Sequence, residues 1–273
     1  MYRKRFGLRG HPLPKGAQGK TFYEESQGYS RLGRAFGTLL EDGGLGVLTG
    51  VAGVGKTAAI RNLARSLPAP NHRVIYLCDT AVGPLDLYRM LAVELGVVPS
   101  HRRSQLWSDI KQAITQLVDE KGTLPILVID EAQHLSDRFL IDLSGFLNFS
   151  FDSRELFPLW LVGMPPLVRH LQMQQHAALA MRVVAHVHLE PLAREPFVGL
   201  LTHALAASGV HDTVLSEPAI EMVFRQSHGI PRVCSKLLRA ALREAHRRDQ
   251  SFVDEHVVEA AIEEMGLAGV AAH

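Results

Sequence analysis

The run Gly50-Val51-Ala52-Gly53-Val54-Gly55-Lys56-Thr57 fits the pattern G-x-x-x-x-G-K-[ST] and constrains the fold more than any other stretch of the chain. Such a loop works only between a buried strand and a helix. Here the apolar Leu45–Thr49 precedes it and the helix-like Ala58–Ser66 follows. The glycines let consecutive backbone N–H groups turn toward one anion, and the helix adds the positive end of its dipole. Gly50, Val51, Ala52, Gly53, Val54, Gly55, Lys56, Thr57 and Ala58 are therefore candidate phosphate-binding residues. Lys56 would neutralise the β- and γ-phosphates, and the Thr57 hydroxyl would ligate Mg²⁺. A nucleoside triphosphate with Mg²⁺ is the expected ligand.

A second motif, Ile126-Leu127-Val128-Ile129-Asp130-Glu131, carries four apolar residues and then two carboxylates. A buried parallel strand reads this way, and open α/β sheets bind ligands at the C-terminal ends of their strands. Asp130 is suited to hold the metal and Glu131 to polarise a water for attack on the γ-phosphate. An acidic turn after a strand is common by itself. Its position about seventy-five residues after the loop, with strands and helices alternating between, favours the catalytic assignment.

The rest of the chain falls into place around these motifs. Strands are expected at Leu45–Thr49, Arg73–Cys78, Leu124–Ile129, Leu159–Val162 and Val183–Leu189, and helices at Tyr29–Leu40, Ala58–Ser66, Pro84–Leu95, Ser104–Asp119 and Ser136–Leu147. That alternation predicts an α/β fold, a parallel five-stranded sheet flanked by helices. After Glu190 only helices are expected, at Glu195–Ser208, Glu217–Ser227, Pro231–Arg248 and Val253–Met265. The predicted organisation is a basic arm at 1–28, an α/β core at 29–190 and a helical lid at 191–273.

Charge adds one asymmetry. The formal net charge is +1, yet residues 1–34 hold eight basic side chains against Glu24 and Glu25. A basic arm suits an anionic partner such as DNA or is simply a solvated terminus. Cys78 and Cys234 show no metal-type spacing and are expected to be buried, reduced thiols. The fourteen histidines are scattered; His186 and His188 share a strand face without a companion ligand, so no metal site is assigned to them. No signal core and no apolar stretch near ~20 residues is present, so no membrane contact is expected and the cytoplasm is the expected compartment.

With the phosphate loop, Asp130-Glu131-Ala132-Gln133-His134 and the helical tail in view, the chain resembles an AAA+ ATPase, of the ExeA/TniB/TnsC group. That group includes ATPase partners of DDE transposases. Phe6-Gly7-Leu8, Leu48-Thr49-Gly50, Leu161-Val162-Gly163 with Pro165, Leu189-Glu190-Pro191-Leu192 and Gly229-Ile230-Pro231-Arg232 are similar to ExeA-type sequences. The resemblance runs from residue 1 to about 265. It implies an ATPase that takes ATP and Mg²⁺, works as a homo-oligomer in a ring or filament, and adds two arginines to the site. Arg232, after a helix-opening Pro231, matches the arginine that reaches the γ-phosphate in cis. Arg182 lies where the family carries an arginine finger acting on a neighbouring subunit, with Arg154 and Arg169 as alternatives and a plain surface arginine as the bland reading. One position departs from the pattern: Met164 stands where ExeA-like chains carry glutamine, and methionine orients water poorly. Gln133 or Asn148 is then the substitute, or hydrolysis is slow and partner-dependent.

Two features bear on DNA. Arg232, Lys236, Arg239, Arg243 and Arg247 are spaced along one helical face, which a solvated charged face also explains. His101-Arg102-Arg103 opens another helix, and loops of this kind track a phosphate backbone without reading sequence. Trp107, one turn on, reads as core rather than a stacking platform. Together with the resemblance, these features predict a regulator of transposition that assembles on duplex DNA and recruits or activates a transposase. A secretion-type ExeA ATPase is disfavoured because the chain ends at residue 273 without the membrane segment such proteins carry. A nucleotide-gated scaffold with little hydrolysis is the third reading, kept open by Met164.

Overall fold

The computed structural model describes residues 2–14, 22–149, 156–210 and 214–266. Five strands, β1 (Gly44–Gly50), β2 (His72–Leu77), β3 (Leu124–Ile129), β4 (Pro158–Gly163) and β5 (Val183–Leu189), form one sheet in the order β2-β3-β4-β1-β5. Every pairing is parallel, so all strands open onto the same edge. The predicted α/β fold is the fold observed.

By contact the chain divides into two units, residues 28–52 with 59–189, and residues 1–27 with 53–58 and 190–273. In the first, strand alternation sorts side chains onto two faces. Leu45 and Val47 of β1, Ile75 and Leu77 of β2, Leu127 and Ile129 of β3, and Leu159 and Leu161 of β4 share one core. Residues Leu87, Tyr88 and Leu91 of α4 (Pro84–Leu95), Leu106 and Ile110 of α5 (Arg103–Thr115), and Phe139 and Leu143 of α6 (Asp137–Phe146) complete it. The opposite face carries Trp160, whose ring stacks on Phe36 of α2 (Gln27–Asp42) at 5.9 Å. Gly46 on the adjacent strand makes room, since a Cβ there would lie 2.7 Å from the Trp160 ring. Trp107 packs edge-on to Tyr88 and Phe146, as core, beneath the Arg103 guanidinium.

β2 lies at the edge of the sheet, and the alternation places Ile75 and Leu77 inward and Val74 and Tyr76 outward. The same parity turns Cys78 outward. It is exposed, which corrects the expectation of two buried thiols; Cys234 alone is buried, and both are free. The helix expected to run to Asp119 leaves α geometry at Thr115 and closes with a π turn over Gln116–Glu120. Two short helices, α7 (Pro166–Leu171) and α8 (Ala177–Ala180), between β4 and β5 carry too few residues for a periodic signal.

The second unit is built on α9 (Arg194–Ala207), α10 (Glu217–Ser227), α11 (Pro231–Arg247) and α12 (Glu255–Glu264). Ser216 and Asp254 cap α10 and α12 by accepting backbone N–H bonds from Ala219 and Val257. Phe197, Val223, Leu237, Leu238, Ala241, Val257 and Val258 fill the core, and Tyr2, Phe6 and Leu8 join it from the N-terminus. That terminus is therefore packed, with α1 (Tyr2–Arg5) as its first turn. Each such apolar side chain contributes about 1.5–3 kcal/mol on burial. The Arg5–Asp249 surface ion pair contributes about 0–1 kcal/mol, so apolar packing holds the segment. Leu215 and Val253 form an isolated parallel bridge in a region expected to be wholly helical. Among the described residues no helix is long and apolar enough to cross a membrane.

Candidate functional site

β1 and β3 end on the same sheet edge with β4 between them. β1 delivers the phosphate loop and β3 delivers Asp130. α3 (Lys56–Ser66) begins at Lys56, so the helix axis starts where the loop ends. Gly53 and Gly55 have φ of 85° and 110°, conformations that L side chains avoid. Lys56 is buried and engaged, and Thr57 is engaged as well. The loop thus has the backbone form that an anion cradle requires.

Arg232 sits on this loop. Its backbone N–H donates to the Gly53 carbonyl at 3.2 Å, and a Cβ on Gly53 would lie 2.8 Å from the Arg232 Cβ. The glycine is required twice over, by its positive φ and by this approach. Two of the motifs noted in the sequence also meet here. The Leu192 N–H donates to the Gly229 carbonyl at 2.9 Å, and Gly229, at φ 70°, has no space for a Cβ beside the Leu192 carbonyl. This turn aims α11, with Pro231 as its first residue, at the loop.

Asp130 is buried, and both its oxygens are held. Tyr76 Oη donates to Oδ2 at 2.8 Å and the Glu131 N–H donates to Oδ1 at 2.9 Å. Burial first, and then the carboxylate beside it, pushes the Tyr76 phenol well above its ordinary range, so Tyr76 remains a donor. Glu131 occupies the left-handed region at φ 53°, a strained conformation for glutamate. Thr80 Oγ1 fixes that peptide by donating to the Glu131 carbonyl at 2.8 Å. The exposed Glu131 carboxylate accepts from Gln133 Nε2 at 2.7 Å.

Gln133, one of the two substitutes named for Met164, reaches the end of β4. Its Oε1 accepts the Met164 backbone N–H at 2.9 Å, so one amide bridges the end of β4 and the Glu131 carboxylate. Asn148 lies beyond α6, where its carbonyl accepts from Lys111 Nζ at 2.7 Å. Of the two substitutes for the missing polar side chain, Gln133 is the one bonded to Glu131. Tyr76 and Thr80 were not found from the sequence; neither stands in a motif, and only strand pairing brings them to the carboxylates.

Arg182 is half-buried at the start of β5 and borders a cleft of about 640 Å³ with Ser144, Gly145, Asn148, Ala178, Met181 and Val184. Of the alternative arginines, Arg169 is exposed on α7, and Arg154 lies outside the described residues. The basic stripe of α11 is not uniform. Arg239 donates to the Leu13 carbonyl at 2.8 Å, and Arg247 pairs with the buried Glu244, so these two serve the fold. Arg232, Lys236 and Arg243 are exposed. On α5, Arg103 pairs with Asp142 at 2.9 Å, while His101 and Arg102 are exposed.

One residue before the loop, Thr49 Oγ1 lies 3.0 Å from both His186 Nε2 and His188 Nδ1. The companion of this histidine pair is therefore a buried hydroxyl. Burial, and then the neighbouring His188, holds the His186 pKa below its ordinary 6.5.

In the sheet unit, β1 thus ends in the phosphate-loop sequence and β3 in two carboxylates, on one edge of a parallel sheet. Residues 40–171 match the family model described as "AAA domain". The chain is 28% identical over 262 residues to general secretion pathway protein A of Aeromonas hydrophila, covering 90% of this chain and 46% of that protein. It is 26% identical over 189 residues to an uncharacterised HTH-type transcriptional regulator of Methanocaldococcus jannaschii, covering 67% and 46%. The chain thus spans about half the length of the curated relatives it matches. Among solved structures, Orc1 of Aeropyrum pernix in complex with DNA superposes with a TM-score of 0.71 at 19% identity, covering 94% of this chain and 69% of that one. Cdc6p of Pyrobaculum aerophilum gives 0.70 at 16%, covering 92% and 72%. The RuvB Holliday junction branch migration motor of Thermotoga maritima gives 0.58 at 19%, covering 93% and 73%. The fold is that of these proteins, a five-stranded parallel sheet flanked by helices and followed by a helical region.

Proposed function

We propose that this protein is an ATP-binding and ATP-hydrolysing regulator of DNA transposition. It assembles as a homo-oligomer, ring or filament, on duplex DNA, and there recruits or activates a DDE transposase. The observation that carries the ATPase reading is the Asp130–Glu131–Gln133 network at the end of β3, on the sheet edge where β1 runs into the phosphate loop. Gly50 to Ala58 hold the phosphates, Thr57 and Asp130 hold Mg²⁺, and Glu131 polarises the attacking water. Arg232 reads the γ-phosphate in cis, and Arg182 stabilises transferred charge on a neighbour's nucleotide. The loop fits this ligand, because its two positive-φ glycines open a backbone cradle ahead of a helix N-terminus.

Support for the DNA part comes from the exposed His101, Arg102, Lys236 and Arg243, and from a fold seen elsewhere in complex with DNA. Contacts of this kind grip phosphates without reading bases. The similarity to general secretion pathway protein A favours a second reading, an ATPase coupled to secretion. Under the first reading the protein works in the cytoplasm without a membrane partner.

Imaging the protein with duplex DNA and a non-hydrolysable ATP analogue separates the two. Filaments or rings that need both DNA and nucleotide are expected. No DNA binding even at low salt, where phosphate contacts are strongest, would exclude the transposition reading and leave the secretion one.

A further inference from the structure

Away from the phosphate loop, three chain segments bring two imidazoles and a carboxylate to one point. Asp137 opens α6 behind its Ser136 cap, His170 stands in the last turn of α7, and His176 ends the 3₁₀ turn Gln174–His176 before α8. Asp137 Oδ1 lies 2.6 Å from His170 Nε2 and 2.9 Å from His176 Nε2. All three donor atoms fall within 4.8 Å of one another. The rings stand edge to face with centroids 5.1 Å apart, and both Nε2 atoms meet the same carboxylate oxygen, Oδ1.

Packing holds this geometry. The His176 side chain is fully buried and that of His170 is 20% exposed, whereas Asp137 is 54% exposed. Two donors are therefore fixed and the third opens to solvent. A tetrahedral ion about 2.0–2.1 Å from each donor needs donors roughly 3.3 Å apart. Asp137 Oδ1 stands at 2.6 and 2.9 Å from the two nitrogens, so the exposed carboxylate would draw back by about 0.4–0.7 Å to admit the ion, with water as the fourth ligand. Imidazole nitrogens select zinc-class ions over Mg²⁺, which prefers an all-oxygen shell. We propose that Asp137, His170 and His176 form a binding site for a divalent zinc-class ion, separate from the nucleotide's Mg²⁺. The ion ties α7 and the turn before α8 to the start of α6. α8 leads directly into the segment that carries Arg182, so the ion also steadies that segment.

The test uses untagged full-length protein, loaded with zinc and dialysed, and then analysed by elemental analysis. One zinc per chain is expected, and Co²⁺ in its place should give the visible absorption of a four-coordinate ion. The informative variants are His170→Ala and Asp137→Asn, because neither removes the fully buried ring. Each should lower zinc affinity by at least about tenfold, the scale set by weaker outer-shell changes. Zinc should raise Tm in the parent and, at the same concentration, raise it less in both variants. An unchanged far-UV circular dichroism spectrum shows that the variants fold. The proposal is overturned if the folded parent binds no zinc, which makes the cluster a hydrogen-bonded strut. Equal zinc affinity in parent and variants overturns it as well, by placing the metal on other histidines.

Discussion

The two contact units hold their candidate residues by different means. The sheet unit presents carboxylates at strand ends and fixes them from several directions: Tyr76 and the Glu131 N–H on Asp130, and Thr80 and Gln133 on Glu131. The helical unit includes Gly53–Ala58 as well as α11. Within it the Arg232 N–H donates to the Gly53 carbonyl, a backbone contact rather than a side-chain one. The comparison teaches a division of labour. Residues counted with the helical unit, Gly53–Ala58 and Arg232, should govern nucleotide affinity. Glu131 and Gln133 of the sheet unit should govern turnover.

The sharpest break of that division is Lys56→Ala against Glu131→Gln. Losing a charge-assisted contact to phosphate costs about 1.5–3 kcal/mol, so Lys56→Ala should weaken ATP binding by about ten- to a hundredfold in calorimetric titration. Arg232→Ala should weaken it in the same direction. Glu131→Gln should keep the affinity and slow turnover by about tenfold or more in a steady-state phosphate-release assay. Gln133→Ala should act as a weaker copy of Glu131→Gln, because the carboxylate stays and only its positioning is lost. If Gln133→Ala changes affinity and spares turnover, the division of labour is wrong.

Stability gives the next test, with two glycines that have no space for a Cβ for different reasons. Gly46→Ala drives a methyl into the Trp160 ring within the sheet unit. Gly229→Ala meets the Leu192 carbonyl at φ 70° within the helical unit. Overpacking costs about 1–3 kcal/mol, which lowers Tm by roughly 2–4 °C per kcal/mol at this chain length. Gly229→Ala should also weaken ATP binding, since that turn aims Arg232, whereas Gly46→Ala should leave affinity unchanged in the folded protein. Differential scanning fluorimetry with and without ATP separates the two.

How much of this could be read in advance follows from how each feature is encoded. The phosphate loop and the Asp130-Glu131 strand end were legible because each is a contiguous run with its own strand or helix signal. Arg232 was singled out as a site residue only through the family resemblance of Gly229-Ile230-Pro231-Arg232; its backbone contact with Gly53 was not legible. Tyr76, Thr80 and the His186–Thr49–His188 trio were not, since parallel pairing joins residues dozens to more than a hundred positions apart. The Asp137–His170–His176 cluster escaped for the same reason, its members falling on three short elements with no ligand-like spacing. The N-terminal segment reads as a charged arm because Arg3, Lys4 and Arg5 dominate its composition. Its fate is decided by Tyr2, Phe6 and Leu8, which enter the helical core.

The smallest expected effect compares one histidine from each unit. Burial, followed by His188, lowers the pKa of His186 beside the loop. Burial, followed by Arg239, Arg3 and Arg243, lowers that of His11, whose Nδ1 lies 2.9 Å from Tyr2 Oη. In both cases the folded protein favours the neutral ring, so the unfolded chain binds more protons just below pH 6.5. Stability then rises with pH in that window and falls as the solution is acidified through it. Tm should therefore drop between about pH 7.5 and about pH 5.5, and His186→Gln and His11→Gln should each make the drop shallower. ATP sharpens the contrast, because His186 reaches the loop through Thr49 and His11 packs beside α1 and α11. Protonating His186 perturbs the Thr49 hydroxyl and should weaken ATP binding at the lower pH, an effect that His186→Gln removes and His11→Gln leaves in place. If both variants respond to pH as the parent does, other groups carry the acid sensitivity and the histidine pair is only a strut under the loop.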